Sequence, residues 1–475
     1  MVLQAPTVPE IAKSAVARAI IDLNAALGGS KVSVEPETLA QFANDDSDVL
    51  GRMPDVVVIA ESARDIATTL RVAQQTGVYV TPRAAGTGRT GGATCVGGGI
   101  VLVTTGLASI KSIDRRNLLA TVQPGVILAD LQRAVEAEGL FYPPDPSSLD
   151  TCTLGGNVAE NAGGPRAFKY GVTGDYVLGL DAIVMDGTEL SIGRKTPKGV
   201  TGYDMTSLLV GSEGTLAAFS ELTLRLLPKP DELETVVATF DSVRDAAAGV
   251  ASIVAAGLTP RCIELLDDQA LACVRRDGAA IDARARAMLL IEIDGSNISP
   301  VVERIGNALS SMSGCREVLT AKDEAERERL WSARRQLSRS IRKTAKHKLS
   351  EDVVVPRTEI VHLLEKVEAA CGALSVRHLA YGHAGDGNLH VNFLWDDDSE
   401  RPNVDKAIDQ LMRDAIALGG TLSGEHGIGV SKAQYLPLEQ SDALIALQRR
   451  VKDAFDPRGL LNPGKIFPRV GHTGC

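Results

Sequence analysis

YVTPRAAGTGRTGG, residues 79–92, joins a short apolar strand directly to a loop that contains four glycines. Small residues let backbone N–H groups approach a pyrophosphate closely, and successive N–H groups form a nest for its oxygens. The spacing is not GxGxxG, no acidic ribose partner follows about 20 residues on, and no Gly-Lys-Ser/Thr follows as in a P-loop. The segment therefore predicts an anion-binding turn of another type, with a plain tight turn as the alternative.

Ordinary α/β signals surround this loop. Val56 to Ala60 is typical of a short buried strand. Ser62 to Gly77 predicts a helix with an apolar stripe, a serine N-cap and a glycine end. The other glycines are concentrated at separate places, which predicts tight loops rather than a repeat; the clusters are 86–99, 155–174, 211–214, 382–387 and 419–429.

Length and composition limit the class of protein. A chain of 475 residues is too long for one ordinary core, so two or three domains are expected. The 44% hydrophobic and 23% charged content is typical of a soluble globular protein, and no apolar run approaches the roughly 18 residues of a membrane span. No secretory signal is visible, and seven scattered cysteines without a CxxC fit reduced thiols, so a cytoplasmic protein is expected. A net charge of −10 argues against nucleic-acid binding.

Two short segments carry the residues of a reactive site. In Tyr381 to His390, YGHAGDGNLH, two histidines flank a Gly-Asp-Gly turn, and Glu425 and His426 follow in a Gly-Glu-His-Gly segment. Imidazole, imidazole and carboxylate are ligands for a borderline divalent metal, and His426 could move a proton at neutral pH. The alternative is that a strand and a turn simply bury both histidine rings.

Further segments join these two in a recognisable order. They are Pro144 to Ser148, Thr153 to Gly164, Gly211 to Leu216 and Leu461 to Lys465. Together with residues 79–92, they resemble the FAD-binding fold of the vanillyl-alcohol oxidase / p-cresol methylhydroxylase superfamily. The resemblance is stronger to the 2-hydroxyacid branch, which comprises D-lactate dehydrogenases, D-2-hydroxyglutarate dehydrogenases and the glycolate oxidase catalytic subunit. It extends from about residue 45 to 468.

The resemblance implies an α+β fold with two α+β FAD subdomains of the PCMH type and a cap domain with an antiparallel sheet, of the FAD-linked oxidase C-terminal type. The expected divisions are an N-terminal helical segment at 1–49, an FAD-binding domain at 50–230, a cap at 231–420 and a segment returning to the flavin at 421–475. Because Thr87 stands where some members tether the flavin through histidine, non-covalent FAD is expected. The residues implied to bind FAD are Pro82, Arg83, Ala84, Ala85, Gly86, Thr87, Gly88, Thr90, Gly91, Gly92, Pro144, Ser147, Thr153, Gly155, Gly156, Asn157, Asn161, Gly163, Gly164, Glu213, Gly214 and Asn462.

The resemblance also assigns roles to the histidine segments. It implies a divalent metal, zinc or manganese, held by His383, His390 and Glu425, with the two histidines close to the substrate. His426 is implied as the catalytic base that takes the substrate hydroxyl proton. Asn392 follows His390 by two residues in an alternating strand and is expected to face the same substrate.

A basic stretch from Arg327 to Lys348 predicts a solvated helix whose early acids and late bases suit its dipole. Within it, Trp331 to Arg335 resembles the segment that anchors the substrate carboxylate, which assigns that role to Arg335. Arg339 lies one turn further on the same face and could hold a second carboxylate. The chain departs here from the D-2-hydroxyglutarate dehydrogenase pattern, since Arg339 and Ser350 replace a threonine and a lysine, and this favours a shorter acid.

The expected function is therefore an FAD-dependent dehydrogenase for a D-2-hydroxyacid such as D-lactate or glycolate. Electrons would pass to a quinone, a cytochrome or an electron-transferring flavoprotein, and an iron–sulfur partner subunit belongs to the same expectation. D-2-hydroxyglutarate oxidation is the first alternative. An alkylglycerone-phosphate synthase-like transferase and a non-catalytic flavoprotein subunit are the others, and the paired HxxxxxxH and EH segments argue against both. A homodimer is expected from base rates alone.

Overall fold

The computed structural model describes residues 3–4, 8–279 and 281–468, so Cys475 lies outside the described residues. The first subdomain contains a four-stranded sheet in the order β2-β4-β6-β5, in which β4 and β5 each pair in parallel with β6. Its elements are β1 (Leu3–Gln4), α1 (Lys13–Leu27), β2 (Val32–Ser33), α2 (Pro36–Gln41), β3 (Val49–Leu50), β4 (Val56–Ile59), α3 (Ala63–Thr76), β5 (Val80–Arg83) and β6 (Ile100–Val103).

The predicted strand at Val56 to Ala60 and the predicted helix at Ser62 to Gly77 are both present. β4 is buried, as the apolar run predicts. The Ser62 side chain caps α3 by accepting from the Asp65 N–H, and Gly77 ends the helix in the left-handed region at φ 75°. β5 then carries the chain into the glycine-rich loop.

The second subdomain is built on a five-stranded antiparallel sheet in the order β11-β10-β12-β8-β7. A separate core of apolar side chains lies between this sheet and the helices. Its elements are β7 (Ile110–Asp114), β8 (Leu119–Val122), α4 (Leu128–Ala137), β9 (Leu140–Phe141), α5 (Leu154–Glu160), α6 (Ala167–Tyr170), β10 (Val177–Ile183), β11 (Glu189–Gly193), α7 (Met205–Leu209), β12 (Ala218–Arg225) and β13 (Leu227–Pro228).

The cap contains a seven-stranded antiparallel sheet in the order β17-β14-β16-β15-β19-β20-β18. Its elements are β14 (Glu232–Phe240), α8 (Val243–Ala255), β15 (Cys262–Leu266), α9 (Asp268–Arg276), β16 (Ala287–Gly295), α10 (Ser299–Ser310), β17 (Cys315–Thr320), α11 (Glu324–Arg342), β18 (His347–Val354), α12 (Ile360–Leu374), β19 (Arg377–His383), β20 (Asn388–Trp395) and α13 (Arg401–Ala417). The predicted α+β fold with an antiparallel cap is confirmed.

Both faces of the cap sheet are covered, and this explains why its strands read as apolar runs. Leu289 and Ile291 of β16 belong to the core under α8, α10, α12 and α13. Met288, next in sequence to Leu289, faces the opposite side, where α9 and α11 pack. The predicted basic helix is wrong beyond Arg342, because Lys348 lies in β18. Pairing with β20 determines that conformation.

The C-terminal segment, with α14 (Leu436–Glu439) and α15 (Asp442–Phe455), returns to the first subdomain. Thr421 forms a bridge with Val354 of the cap, and Leu461 forms a parallel bridge with Val80 beside the glycine-rich loop. The segment therefore touches both the cap and the loop. Among the helices that the structure describes, none has the length and apolar character needed to cross a membrane. The domain boundaries at 49, 230 and 420 remain predictions.

Candidate active site

A cleft of about 580 Å³ lies where the three parts of the chain meet. Its walls are the glycine-rich loop of the first subdomain, residues 146–163 of the second, one face of α11 from the cap, and the Glu425–His426 pair. Its size lies within the range of cofactor and ligand sites.

The glycine-rich loop forms one wall as a close-fitting cradle. Gly86 has φ 77°, and a Cβ there would collide with the Arg83 guanidinium. A Cβ on Gly92 would stand 2.7 Å from Glu160 Oε1. The residues of the predicted set that line this wall are Pro82, Arg83, Ala84, Ala85, Gly86, Thr87, Gly88 and Gly92. Arg83 also supports the loop, since it donates to the Asn44 carbonyl at 2.8 Å.

Thr90 and Gly91 lie behind this wall. The Thr90 hydroxyl donates to the His426 carbonyl at 3.0 Å. Gly91 has φ 85°, and a Cβ there would press against Val49 and Val430. These two residues join the cradle to the C-terminal segment. Their contacts in the structure are with other residues of the protein, and they do not line the cleft.

The second subdomain supplies the facing wall. Of the predicted residues, the structure places Ser147, Thr153, Gly155, Gly156, Asn157, Gly163, Glu213 and Gly214 on the cleft. Residues that the sequence analysis missed include Ser148, Asp150, Glu160 and Phe219. Glu160 offered a signal, because it lies in the quoted segment Thr153 to Gly164.

Four predicted residues lie outside the lining and instead hold it in place. The Pro144 carbonyl accepts from Gln132 at 2.8 Å, and Asn161, in the left-handed region at φ 54°, accepts from the Gly174 N–H at 2.8 Å. Gly164 packs against Asp145, where a Cβ would not fit. Asn462 donates to the carbonyls of Gly92 at 3.0 Å and Glu213 at 2.7 Å.

The wall supplied by the second subdomain contains polar atoms that can form hydrogen bonds with a polar ligand. Within residues 8–279 and 281–468, several buried side-chain atoms lack a hydrogen-bond partner, and those of cleft-lining residues include Thr153 Oγ1, Asn157 Nδ2 and Glu160 Oε2. Buried polar atoms are normally satisfied. The cradle and these atoms suit a cofactor that carries phosphate, hydroxyl and ring-nitrogen groups, as FAD does.

His383 and His390 lie outside the cleft lining but come together, as predicted, with Glu425, which lines it. The Nε2 atoms of the two histidines are 3.5 Å apart, and each lies 3.5 Å from Glu425 Oε1. A tetrahedral zinc ion with bonds of about 2.1 Å separates its ligand atoms by roughly 3.4 Å, so this triangle fits such an ion. Burial lowers the pKa of His390 to about 3 and keeps its imidazole neutral. Burial also acts to lower the pKa of His383, but Glu264 and Glu425 outweigh it and raise that pKa, so a metal would have to displace a proton there.

Glu264 and Arg334 complete the surroundings of the triangle, and the sequence analysis missed both. Glu264 pairs with His383 in the register of β15 and β19, and its Oε1 lies 2.5 Å from His383 Nδ1. Arg334 Nε donates to Glu264 Oε2 at 2.7 Å. Glu264 offered a signal, because a carboxylate interrupts the otherwise apolar strand Cys262–Leu266.

His426 lies at the end of the cleft, with its ring stacked on His390 at 5.4 Å between centroids. Burial lowers its pKa, although Asp352 and Glu425 oppose that shift. Asn392 lies in β20 two residues after His390; its Nδ2 donates to the His390 carbonyl at 3.0 Å, and its buried Oδ1 has no partner among the described residues.

Arg335 and Arg339 both lie on the cleft face of α11. The Arg335 side chain is 41% exposed and pairs with the exposed Glu328. Arg334, by contrast, is buried against Glu264 and stacks over the Tyr381 ring at 4.7 Å. Of the two adjacent arginines, Arg334 is therefore the one that adjoins the triangle, while Arg335 faces the mouth of the cleft.

The fold and the cradle define an FAD-binding oxidoreductase. Residues 54–193 match the family described as FAD binding domain, and residues 229–466 match FAD linked oxidases, C-terminal domain. The chain belongs to this family of FAD-linked oxidases. The predictions of the family and of FAD as its cofactor are confirmed.

Curated relatives cover nearly the whole chain. Glycolate oxidase subunit GlcD of Bacillus subtilis is 40% identical over 423 residues, which span 88% of this chain and 90% of that protein. D-lactate dehydrogenase of Anaerostipes hadrus is 32% identical, over 92% of this chain and 94% of its own. The solved structure of p-cresol methylhydroxylase with substrate bound is 14% identical, has a TM-score of 0.81, and covers 96% of this chain and 97% of its own. That likeness shows the fold alone.

Proposed function

We propose that this chain is an FAD-dependent dehydrogenase that oxidises a short D-2-hydroxyacid, D-lactate or glycolate, to the 2-oxoacid. The observation that carries the proposal is the position of Glu425 and His426. Both line the cleft that contains the glycine cradle, and Glu425 also faces His383 and His390 at 3.5 Å. The names of the relatives, glycolate oxidase subunit and D-lactate dehydrogenase, support the substrate class.

FAD would be held by the cradle at residues 82–92 and by the facing wall around Thr153, Gly156 and Asn157. When bound, it supplies the acceptor for the two electrons and the hydrogen that leave the substrate carbon. We propose that it is bound non-covalently, because Thr87 in the cradle has no ring nitrogen with which to tether it. Acid-precipitated, washed protein should be colourless; a yellow pellet would contradict this.

A divalent metal, zinc or manganese, would be held by His383, His390 and Glu425. When bound, it supplies a Lewis acid for the carboxylate and hydroxyl oxygens of the substrate. Glu264 accepts from His383 Nδ1 and thereby directs Nε2 into the triangle. Metal analysis before and after chelation, with His383→Ala as the comparison, tests this assignment.

The chain's own residues bind the acid and move its proton. Arg335 offers a guanidinium to the carboxylate, and its ion pair with exposed Glu328 is weak enough to be exchanged at little cost. Asn392 is fully buried and lies outside the cleft lining; its amide oxygen, which has no partner among the described residues, is the atom that we assign to a donor on the substrate. His426, kept neutral by burial, accepts the hydroxyl proton as the base.

D-2-hydroxyglutarate is the second candidate substrate, and one observation favours it. Arg339 and Arg342 lie on the same face of α11 as Arg335 and also reach the cleft. A second carboxylate could bind there.

With any of these acids, electrons would leave through a quinone, a cytochrome, an electron-transferring flavoprotein or an iron–sulfur partner subunit. We also propose that the protein is located in the cytoplasm and that it forms a homodimer.

The test is an anaerobic panel of acids on the FAD-loaded protein. Glycolate, D-lactate, L-lactate and D-2-hydroxyglutarate are added in turn, and the flavin absorbance near 450 nm is followed. We expect bleaching by glycolate or D-lactate and none by L-lactate. Absence of bleaching with every acid would refute the proposed function.

A further inference from the structure

Two buried carboxylates from different domains hold the loop at residues 423–429. Asp352 of β18 in the cap uses Oδ2 to accept the N–H groups of Gly424 at 2.9 Å, Glu425 at 3.0 Å and His426 at 3.0 Å, and the Ser423 hydroxyl at 2.9 Å. From the flavin-binding side, Glu213 accepts the N–H groups of Ile428 at 2.8 Å and Gly429 at 2.7 Å. Each half of the loop is therefore bound to a different domain.

Asp352 is itself held rigidly. Its side chain is fully buried, and its Oδ1 accepts from the Asn388 amide. The ammonium group of Lys432, which is 2% exposed, donates to the Asp352 carbonyl at 2.6 Å and lies 3.9 Å from Oδ2. A buried charge is stable only when it is paired and hydrogen-bonded in this way. The partners of Asp352 therefore leave its carboxylate little freedom to move.

The position of Asp352 in the sheet connects it to the metal triangle. It lies opposite His390 in the register of β18 and β20, and His390 Nδ1 is 4.0 Å from Asp352 Oδ1. Asp352 is thus adjacent to one candidate metal ligand, His390, and is hydrogen-bonded to the backbone of another, Glu425.

We propose that Asp352 is a positioning residue that fixes the backbone of residues 424–426, so that Glu425 faces the two histidines while His426 faces the cleft. The inference rests on the proposed function for the role of His426. Adjacent side chains in a loop can reach two different sites only if the backbone between them is fixed. Three consecutive N–H groups bound to one carboxylate oxygen achieve this without any contact between Asp352 and the substrate.

The first test is Asp352→Asn in the FAD-loaded protein. The Asp352 carboxylate accepts hydrogen bonds on both oxygens, from the loop on one side and from Asn388 on the other. An asparagine side chain has only one oxygen. If that oxygen faces the three N–H groups of the loop, the NH₂ group faces the NH₂ group of Asn388. We expect the FAD content to stay at the wild-type level. The affinity for zinc alone, measured by competition with a chromophoric chelator, should fall about 10- to 100-fold. The anaerobic rate of flavin reduction should fall at least about tenfold.

A reciprocal variant tests the same geometry by rescue. In Asp352→Asn/Asn388→Asp, the amide oxygen can face the loop while its NH₂ donates to the new carboxylate, and only the bond from the Asn388 amide to the Val353 carbonyl is lost. Zinc affinity and reduction rate should both recover relative to Asp352→Asn. The matched control is Asp267→Asn, because Asp267 is a partly buried carboxylate that also accepts backbone N–H groups, those of Ala270 and Ala380, but it does not touch the loop. That control should lower thermal stability and leave zinc affinity unchanged.

Wild-type zinc affinity and reduction rate in Asp352→Asn would overturn the inference, and so would an equal loss of zinc affinity in Asp267→Asn. If Asp352→Asn cannot be purified folded, Ser423→Ala replaces it. That variant removes one of the four donors and should weaken zinc binding roughly fivefold, and no change would again overturn the inference. Zinc affinity needs no substrate, so it decides the role of Asp352 even if no acid bleaches the wild-type flavin.

Discussion

Arg334 donates to Glu264 across 2.7 Å, and the other oxygen of Glu264 lies 2.5 Å from Nδ1 of His383. Burial acts to raise the pKa of Glu264, but Arg334 and His383 outweigh it and lower the pKa to about 2. The carboxylate is therefore ionised at neutral pH and accepts from Nδ1 of His383. Through this arrangement, a residue of α11 supports the orientation of a candidate metal ligand in β19.

Glu264→Gln should weaken zinc binding by about 10- to 100-fold, because the amide lacks the charge that orients His383. The measurement is a chelator competition on the FAD-loaded protein. Glu292→Gln is the matched control, since Glu292 is a buried carboxylate of the same sheet that pairs with Arg261. Equal zinc affinities for Glu264→Gln and the wild type would show that Glu264 does not orient a metal ligand.

His426→Ala should retain FAD and lower the anaerobic rate of flavin reduction by about 10²- to 10⁴-fold, because the base for the hydroxyl proton is removed. Rapid mixing with D-lactate or glycolate measures that rate. His362→Ala serves as the control, since His362 lies on α12 and its side chain is 59% exposed. Reduction at the wild-type rate in His426→Ala would remove its assigned role.

Arg335→Ala and Arg339→Ala should separate the two carboxylates of a dicarboxylic substrate. Arg335→Ala should raise the KM for every acid in the panel about tenfold or more, because each has the carboxylate next to the hydroxyl carbon. Arg339→Ala should lower kcat/KM for D-2-hydroxyglutarate by a similar factor and change that for glycolate less than about twofold. An equal effect of Arg339→Ala on both acids would argue against a second carboxylate site.

Lys348→Met should stabilise the protein near neutral pH. Burial, together with Arg89 and Arg342, lowers the pKa of Lys348 from 10.5 to about 7. Because the folded-state pKa is depressed, the stability linked to this group is present above pH 10.5 and is lost as the pH falls towards 7.

At pH 7, the free energy of unfolding of Lys348→Met, measured in urea, should therefore be about 1–3 kcal/mol higher than that of the wild type. This is less than the roughly 5 kcal/mol of the full shift, because water reaches part of the side chain. The advantage should shrink as the pH rises towards 10. Lys346→Met is the control at an exposed neighbouring position. A difference that is independent of pH would contradict the assignment to Lys348.

Local patterns predicted much of this site. Residues 79–92 form the cradle as expected. The Nε2 atoms of His383 and His390 and Oε1 of Glu425 lie 3.5 Å from one another. The misses have a common cause. Lys348 lies in a strand although its neighbours in sequence suggest a helix, because pairing with β20 overrides the local charge pattern. The sequence predicts a role for Arg335 but not for its neighbour Arg334, since only the direction of the helix face distinguishes two adjacent arginines.

From the sequence alone, residue types predicted an anion-binding loop at 79–92 and a candidate ligand set of two histidines and a carboxylate, and the resemblance to a known superfamily implied FAD. Only the tertiary structure decided what holds them. Glu264 reaches His383 from 119 residues away, and Asp352 reaches Glu425 from 73 residues away. Both contacts depend on strand register in the cap sheet, which places Glu264 opposite His383 and Asp352 opposite His390. Register is set by the burial of whole strands on both faces of the sheet, and no short segment of the sequence contains that information.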